Sequence, residues 1–265
     1  MYEFEFVKPA SLAEAIEALK AEEAQPLGGG QTLIPTLKQR LAQPASLVSL
    51  AGLPELVGVA VDGDTVTVKG ATPHAKVEEL TAGAFPALAH LAGNIGDPAV
   101  RHRGTIGGSL ANNDPAACYP AAALACGATL VLTGPDGARE IGADDYFQGL
   151  FATALEEGEI VTEVRFPIPE KASYQKFVQP ASRFAMVGVF VAKYADGVRV
   201  AVTGASEEGV FRWTEAEAAL SSDFSAAALD GLTVSPDGLM TDIHATPDYR
   251  AHLIKVMTKR AVAAA

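Results

Sequence analysis

The first two thirds of the chain alternate short apolar strands with amphipathic segments. Phe4 and Phe6 alternate with acidic residues as a short strand would, and a capping box at Ser11 and Glu14 opens a helix that we expect to reach Ala21. Further strands are predicted at 24–27, 46–50, 57–61, 65–69, 129–133 and 159–166, and helices at 32–41, 75–80, 85–91 and 119–126. The elements lack the regular alternation of a doubly wound sheet, so the pattern predicts an α+β fold.

The segment Pro167-Ile168-Pro169 ends this part of the chain, and we place a domain boundary there. The predicted domains are residues 1–170 and residues 171–265. In the second domain, strands at 174–178, 186–194 and 198–203 are expected to form an antiparallel sheet, followed by helices at 214–220, 225–229 and 247–264. The C-terminal unit is therefore predicted to be a small α+β domain.

Two glycine clusters about seventy residues apart are the main candidates for ligand chemistry. They read Leu27-Gly28-Gly29-Gly30-Gln31-Thr32-Leu33 and Gly104-Thr105-Ile106-Gly107-Gly108-Ser109. Each lies where a strand is expected to give way to a helix or turn, so backbone N–H groups without neighbouring Cβ atoms can converge on an anion. Two such loops indicate one ligand with two phosphates, whereas the alternative is a pair of ordinary turns.

The clusters differ from the better-known phosphate motifs. Gly28 and Gly30 have the spacing that begins a dinucleotide fingerprint, but Leu33 stands where that motif needs glycine or alanine. No Gly-Lys-Ser/Thr follows either cluster, as a P-loop would require. The sequence therefore argues against a Rossmann site and against an NTPase.

Charge and composition limit the kinds of molecule that this protein could bind. The chain has 265 residues, 49% of them hydrophobic, and a formal net charge of -12, which disfavours nucleic-acid binding. A bound phosphate would have to be held mainly by backbone amides. The N-terminus is acidic and no apolar run approaches the length of a membrane span, so we expect a cytoplasmic protein without an integral membrane segment.

The number and spacing of cysteines and histidines indicate whether this chain could bind a metal ion or an iron–sulfur cluster. Cys118 and Cys126 are the only cysteines and lie in an alanine-rich stretch, so both are expected to be buried, unreactive and free of a disulfide. Two thiolates cannot provide the four that an iron–sulfur cluster usually needs, and the five histidines show no metal-ligand spacing. No metal site is predicted, and any metal redox centre should reside on another chain.

Both clusters together resemble the loops of the flavin-binding medium subunit of the molybdenum hydroxylases, most closely the carbon monoxide dehydrogenase type. The first matches that family's A-G-G-x-[ST]-L-[LI]-P loop and the second its T-I-G-G-[NS] loop. Asp97-Pro98-x-Val100-Arg101, Asp145-Tyr146-Phe147-x-Gly149 and Glu159-Ile160-Val161 add context, so the resemblance spans the chain.

The resemblance implies a fold, a cofactor and partners. The N-terminal domain would be a two-subdomain FAD-binding domain of the CO dehydrogenase flavoprotein or vanillyl-alcohol-oxidase-like type, and the C-terminal domain would cover the flavin edge. FAD would pass electrons to NAD, a quinone or another acceptor. They would come from [2Fe-2S] clusters on a small iron–sulfur subunit and a molybdopterin cofactor on a large subunit, arranged as a dimer of heterotrimers.

The resemblance also implies a set of FAD contacts and no catalytic side chain in this chain. The implied residues are Leu27, Gly28, Gly29, Gly30, Gln31, Thr32, Leu33, Thr105, Ile106, Gly107, Gly108, Ser109, Asn112, Asp114, Cys118 and Lys176. Ile106 would either pack on the flavin ring or be a core residue. Cys118 stands where the family commonly has a ribityl-binding aspartate, and Lys176 lies two residues before Val178, the position aligned with a flavin-facing lysine.

Two other functions remain open at this point. One is a free-standing FAD-dependent reductase of the same fold, which would need a group able to protonate its substrate. The other is a non-redox nucleotide-binding module, which would be colourless when purified. His74, in a turn before a predicted helix, is interpreted as a helix cap or a solvent-exposed residue rather than a ligand contact.

Overall fold

A computed structural model describes residues 1–265. The chain begins with a parallel β-α-β-α-β unit. Its elements are β1 (Glu5–Val7), α1 (Leu12–Ala18), β2 (Ala24–Leu27), α2 (Leu33–Lys38) and β3 (Ser46–Ser49). Strand β3 lies between β1 and β2, and both pairings are parallel. Helix α1 begins as expected, since the Ser11 hydroxyl accepts the Glu14 amide at 3.2 Å, but it ends before Ala21 because the chain turns at Glu23, where φ is +55°.

The middle of the chain forms an antiparallel five-stranded sheet carrying helices. A 3-10 turn at Pro54–Leu56 precedes it. Its elements are β4 (Val59–Asp62), β5 (Thr65–Lys69), α3 (His74–Thr81), α4 (Pro86–Gly93), α5 (Pro98–Arg101), α6 (Ile106–Asn112), α7 (Tyr119–Ala125), β6 (Thr129–Gly134), β7 (Gly137–Gly142), α8 (Ala143–Tyr146), β8 (Phe147–Gly149), β9 (Ala152–Thr153) and β10 (Ile160–Pro167). The strand order is β4-β5-β10-β6-β7, while β8 and β9 form a separate hairpin. Strand β7 was not predicted from the sequence, because it is a mostly exposed edge strand without apolar alternation.

The last part of the chain is an antiparallel four-stranded sheet followed by helices. The elements are β11 (Lys171–Val178), β12 (Ala185–Tyr194), β13 (Gly197–Ser206), β14 (Gly209–Arg212), α9 (Thr214–Ser222), a 3-10 turn (Ala226–Leu229) and α10 (Pro247–Ala264). The strands follow the order β11-β12-β13-β14. The α+β class and the antiparallel C-terminal sheet predicted from the sequence are confirmed. None of the helices is both long and apolar enough to cross a lipid bilayer.

The C-terminal sheet is buried on both faces, which explains the nearly continuous apolar runs of β12 and β13. One face packs on α7 through Tyr174, Phe190, Ala192 and Ala201, within a core of 30 residues that extends into the five-stranded sheet. The other face packs on α9 and α10 in a second core of 20 residues. Because the first core crosses residue 170, the division into domains 1–170 and 171–265 stays a prediction.

Candidate cofactor-binding site

The two glycine loops, far apart in sequence, lie directly against each other. A Cβ atom on Gly29 would lie 1.9 Å from the Arg103 carbonyl oxygen and 2.6 Å from the Gly104 Cα. A Cβ on Gly28 would lie 2.9 Å from Thr105 Oγ1. These glycines are therefore needed first for the backbones of the two loops to touch.

The first loop presents a run of unused backbone donors. The amides of residues 28–32 donate no hydrogen bond within the protein. They lie immediately before helix α2, which begins at Leu33. Gly28, Gly29 and Gly30 are half-buried, and Gln31 and Thr32 are exposed. Buried or half-buried N–H groups normally have partners, so this loop has the donors that an anionic ligand would require.

The second loop is built differently, because most of its amides are already engaged. The amide of Ile106 donates to Thr72 O at 3.2 Å and that of Gly107 to Gly70 O at 2.8 Å. Gly108 donates to the Thr105 side chain at 3.2 Å, which caps helix α6. The second loop thus supports the first, and offers a ligand mainly the exposed Gly108 and the half-buried Ser109.

Ile106 does not line the open face of the site. Its side chain has no exposed surface and belongs to the large core beneath the five-stranded sheet. This burial favours the core interpretation of Ile106, and contact between its side chain and a flavin ring stays a prediction. A fully apolar side chain at the first turn of a buried helix is explained by packing alone.

His74 lies beneath the second loop, and its importance was underestimated from the sequence. Its amide donates to Gly104 O at 2.9 Å, and its ring packs on Tyr119 with centroids 5.3 Å apart. The ring is only 4% exposed and its Nδ1 has no partner. Burial, reinforced by the nearby Arg101 guanidinium, lowers the pKa of His74 to about 4. His74 is thus a neutral packing residue, neither a cap nor solvent-exposed.

After helix α6 the chain forms a turn that carries Asp114. Asp114 Oδ1 accepts the Ala116 amide at 2.8 Å, and Asp114 lines a cleft of about 500 Å³ that Phe184 and Met186 also line. Asn112 is half-buried and its side chain makes no hydrogen bond within the protein. Asn113 is structural, since its side chain donates to the Gly149 and Ala152 carbonyls, both at 2.9 Å.

Cys118 and Lys176 are brought together from the two parts of the chain. The Lys176 ammonium lies 3.5 Å from the Cys118 sulfur and also donates to Asn94 O at 2.6 Å and Arg183 O at 3.0 Å. Cys118 is 5% exposed, and both cysteines are free thiols in the structure. The contacts of both residues with FAD stay predictions, and the structure shows that the two side chains touch each other.

Two buried hydroxyl groups without partners lie near the same thiol. They belong to Tyr119 and Tyr174, and neither is more than 1% exposed. Burial raises the pKa of both tyrosines well above the usual value, and the neighbouring Cys118 adds to the increase. The protein thus leaves polar groups unsatisfied around Cys118, a pattern that often marks a place completed by a ligand or water.

Cys118→Ala is expected to weaken FAD binding by less than about tenfold, or 1.4 kcal/mol. The thiol is one of three partners of Lys176, so the ammonium keeps both carbonyl acceptors when the sulfur is removed. A fluorescence titration of FAD measures the change. Cys126→Ala is the control, because burial raises the pKa of that second thiol to about 12 and it lies at the other end of α7. A loss much larger than tenfold for Cys118→Ala alone would assign the thiol a direct role.

Metal-ligating side chains do not cluster in the structure. No group of three or more histidine, cysteine, aspartate or glutamate side chains is placed to hold a metal ion. The candidate site combines the free backbone amides of the first loop with Asn112, Asp114, Cys118 and Lys176, a set that suits an extended phosphate-bearing ligand.

The family model described as the FAD binding domain in molybdopterin dehydrogenase matches residues 2–169. The matched segment contains both glycine loops and covers more than half of the chain. The chain belongs to this family. The resemblance drawn from the loop residues is thereby confirmed, and the protein is an FAD-binding component of the molybdopterin dehydrogenases.

Individual relatives extend the similarity to the whole chain. The carbon monoxide dehydrogenase medium chain of Afipia carboxidovorans is 32% identical, with 98% of this chain and 95% of the relative covered. The nicotine 6-hydroxylase medium subunit of Paenarthrobacter nicotinovorans is also 32% identical, with 97% and 95% covered. Relatives that act on such different substrates show that sequence similarity to the family defines the flavoprotein component and leaves the substrate open.

Solved structures of family members have the same fold. Quinoline 2-oxidoreductase from Pseudomonas putida 86 matches with a TM-score of 0.90 at 29% identity, covering all of this chain and 97% of that chain. A Cu,Mo-CO dehydrogenase matches with a TM-score of 0.86 at 31% identity, covering 98% and 96%. The similarity therefore includes the C-terminal sheet as well as the FAD-binding domain.

Proposed function

We propose that this protein is the FAD-binding electron-transfer subunit of a multi-subunit molybdenum hydroxylase. In this role it receives electrons from [2Fe-2S] clusters on a small partner subunit and delivers them to an external acceptor. A large subunit with a molybdopterin cofactor oxidises the substrate, and the complex is a dimer of heterotrimers. Family membership supports this proposal, and the observation that carries it is the run of free amides at residues 28–32.

The residues present fit FAD. The amides of the first loop and the exposed surface of Gly108 and Ser109 would hold the pyrophosphate, since they lie together where the loops meet. Asn112, Asp114 and Cys118 would follow the ribityl chain, and Lys176 would place a positive charge near the ring. Bound FAD supplies the redox chemistry, which no side chain here can provide, so the role of this chain is to bind, orient and shield it.

The experiment compares the isolated subunit with the reconstituted complex. The purified chain is expected to bind about one FAD, to be bleached by dithionite, and to stay yellow with carbon monoxide, an aldehyde or an N-heterocycle. After addition of the iron–sulfur and molybdopterin subunits, the substrate of the complex should bleach the flavin in a stopped-flow measurement. Each partner added alone serves as the control.

Two outcomes would contradict the proposal. A purified chain that stays colourless and takes up no FAD would favour the non-redox nucleotide-binding module. Bleaching of the isolated chain by an organic substrate, without any metal, would favour the free-standing reductase.

A further inference from the structure

The turn that carries two of the implied FAD contacts is held by the C-terminal sheet. This turn, residues 114–118, follows α6 and precedes α7. The Thr203 hydroxyl of β13 donates toward two of its carbonyl oxygens, at 2.7 Å to Ala117 O and 2.9 Å to Pro115 O. The Gly204 amide also donates to Pro115 O, at 2.7 Å. Two donors of β13 thus hold this turn of five residues: the Thr203 hydroxyl, whose single proton is shared between two acceptors, and the Gly204 amide.

The anchor on β13 is itself fixed. Gly204 has φ +82°, and a Cβ there would lie 2.3 Å from Ala185 O, so only glycine fits. Its carbonyl accepts Arg250 Nη1 at 2.8 Å, and Met186 O accepts the same nitrogen at 2.7 Å. Arg250 is 2% exposed and also pairs with Asp242 at 2.6 Å. A buried, paired guanidinium at this point makes the anchor rigid.

Outside its bonds to β13 the turn is held mainly at its C-terminal end, where Cys118 is buried in the large core and its sulfur lies 3.5 Å from Lys176 Nζ. Its internal bonds, Ala116 N to Asp114 Oδ1 at 2.8 Å and Ala117 N to Asp114 O at 2.9 Å, set its shape. They do not set its place relative to the glycine loops. Pro115 has no N–H group to donate, so its carbonyl oxygen is the only backbone hydrogen-bonding group of this residue. That oxygen and the Ala117 carbonyl accept from β13, which lies beyond the predicted domain boundary.

We propose that Thr203 is a positioning residue for FAD. Through Pro115 O and Ala117 O its hydroxyl holds the turn so that Asp114 and Cys118 face the cofactor, and FAD affinity thereby depends on the C-terminal sheet. Thr203 is completely buried and does not touch the cofactor itself. This inference rests on the proposed function, because it assumes that FAD lies along residues 114–118.

Thr203→Val tests the inference, because valine keeps the shape of threonine and removes the hydroxyl. The dissociation constant of FAD is expected to rise about tenfold, as for the loss of one buried hydrogen-bond donor. Thr258→Val is the matched control, since Thr258 is also completely buried in the C-terminal domain and its hydroxyl donates to Ile254 O at 2.7 Å. That control should lower the melting temperature and leave FAD affinity unchanged, whereas Thr203→Val should change both.

Two further substitutions separate positioning from general destabilisation. Thr203→Ser keeps the hydroxyl and is expected to bind FAD like the wild type. Thr203→Cys has a weaker donor and should give an intermediate affinity, which keeps the test available if Thr203→Val does not fold. Equal FAD affinity for the wild type, Thr203→Val and Thr203→Cys would overturn the inference. If the wild-type chain bound no FAD at all, the proposed function would fail instead.

Discussion

Gly29→Ala is expected to abolish FAD binding and to lower the free energy of unfolding by about 3 kcal/mol. The new Cβ would lie 1.9 Å from the Arg103 carbonyl oxygen and 2.6 Å from the Gly104 Cα, far inside van der Waals contact. Both obstacles are backbone atoms, so no side chain can rotate away. The first loop must separate from the second, and the free amides of residues 28–32 lose their arrangement. Urea unfolding and an FAD titration measure the two effects.

Two other glycines provide controls for this expectation. A Cβ on Gly231 would meet nothing within 4 Å, so Gly231→Ala should leave both quantities unchanged. A Cβ on the exposed Gly108 would meet only Thr105 Oγ1, at 3.0 Å. Gly108→Ala should therefore weaken FAD binding while changing the unfolding free energy by less than about 1 kcal/mol. An unfolding curve for Gly29→Ala that matches the wild type would show that the loops do not depend on this contact.

The sequence singled out the two glycine loops but misjudged why they need glycine. We expected the missing Cβ atoms to leave room for phosphate at both loops. At Gly28, Gly29 and Gly107 the space is instead filled by other backbone or side-chain atoms of the protein. Which atoms approach a glycine depends on contacts between distant segments, and a single sequence contains no direct signal for them.

The unequal roles of the two glycine loops also could not be predicted from the sequence. The hydrogen-bond partners of the Ile106 and Gly107 amides lie on residues 70–72, next to His74, whose turn is interpreted from the sequence as a cap or a solvent-exposed residue rather than a ligand contact. Cys118 and Lys176 were identified separately from the family pattern, but their contact depends on how the C-terminal sheet packs on α7. Thr203 looked like any β-branched strand residue, because a strand position fits threonine with or without a partner for its hydroxyl.

The regular elements were easier to predict than the site. Strands β2, β5 and β12 and helix α10 were found nearly to the residue, because apolar periodicity and turn residues define them locally. Strands β7 and β14 were missed, since β7 is mostly exposed and β14 has only four residues, so neither shows a clear apolar alternation.

The stability of the protein is expected to fall by about 2 kcal/mol between pH 7 and pH 5 because of His74 alone. Its pKa is about 4 in the folded protein and near 6.5 when the chain unfolds, since burial and Arg101 oppose the charged form. In this pH range the unfolded chain binds a proton that the folded chain excludes. Acid therefore favours unfolding. The stability lost through His74 is small above pH 6.5 and grows as the pH falls toward 4.

His74→Gln removes the titration and keeps a polar side chain under the second loop. Its unfolding free energy, measured by urea at several pH values, should vary less between pH 7 and pH 5 than that of the wild type. His252→Gln is the control, because it makes the same substitution at a histidine that is exposed on α10. Two carboxylates, Glu163 and Asp242, also couple stability to pH. Burial raises the pKa of each, but hydrogen bonds and neighbouring cations lower it on balance. The stability that they contribute is therefore lost mainly below this pH window, as they become protonated. Equal slopes for the wild type and His74→Gln would show that the ring titrates normally and that the second loop does not exclude its proton.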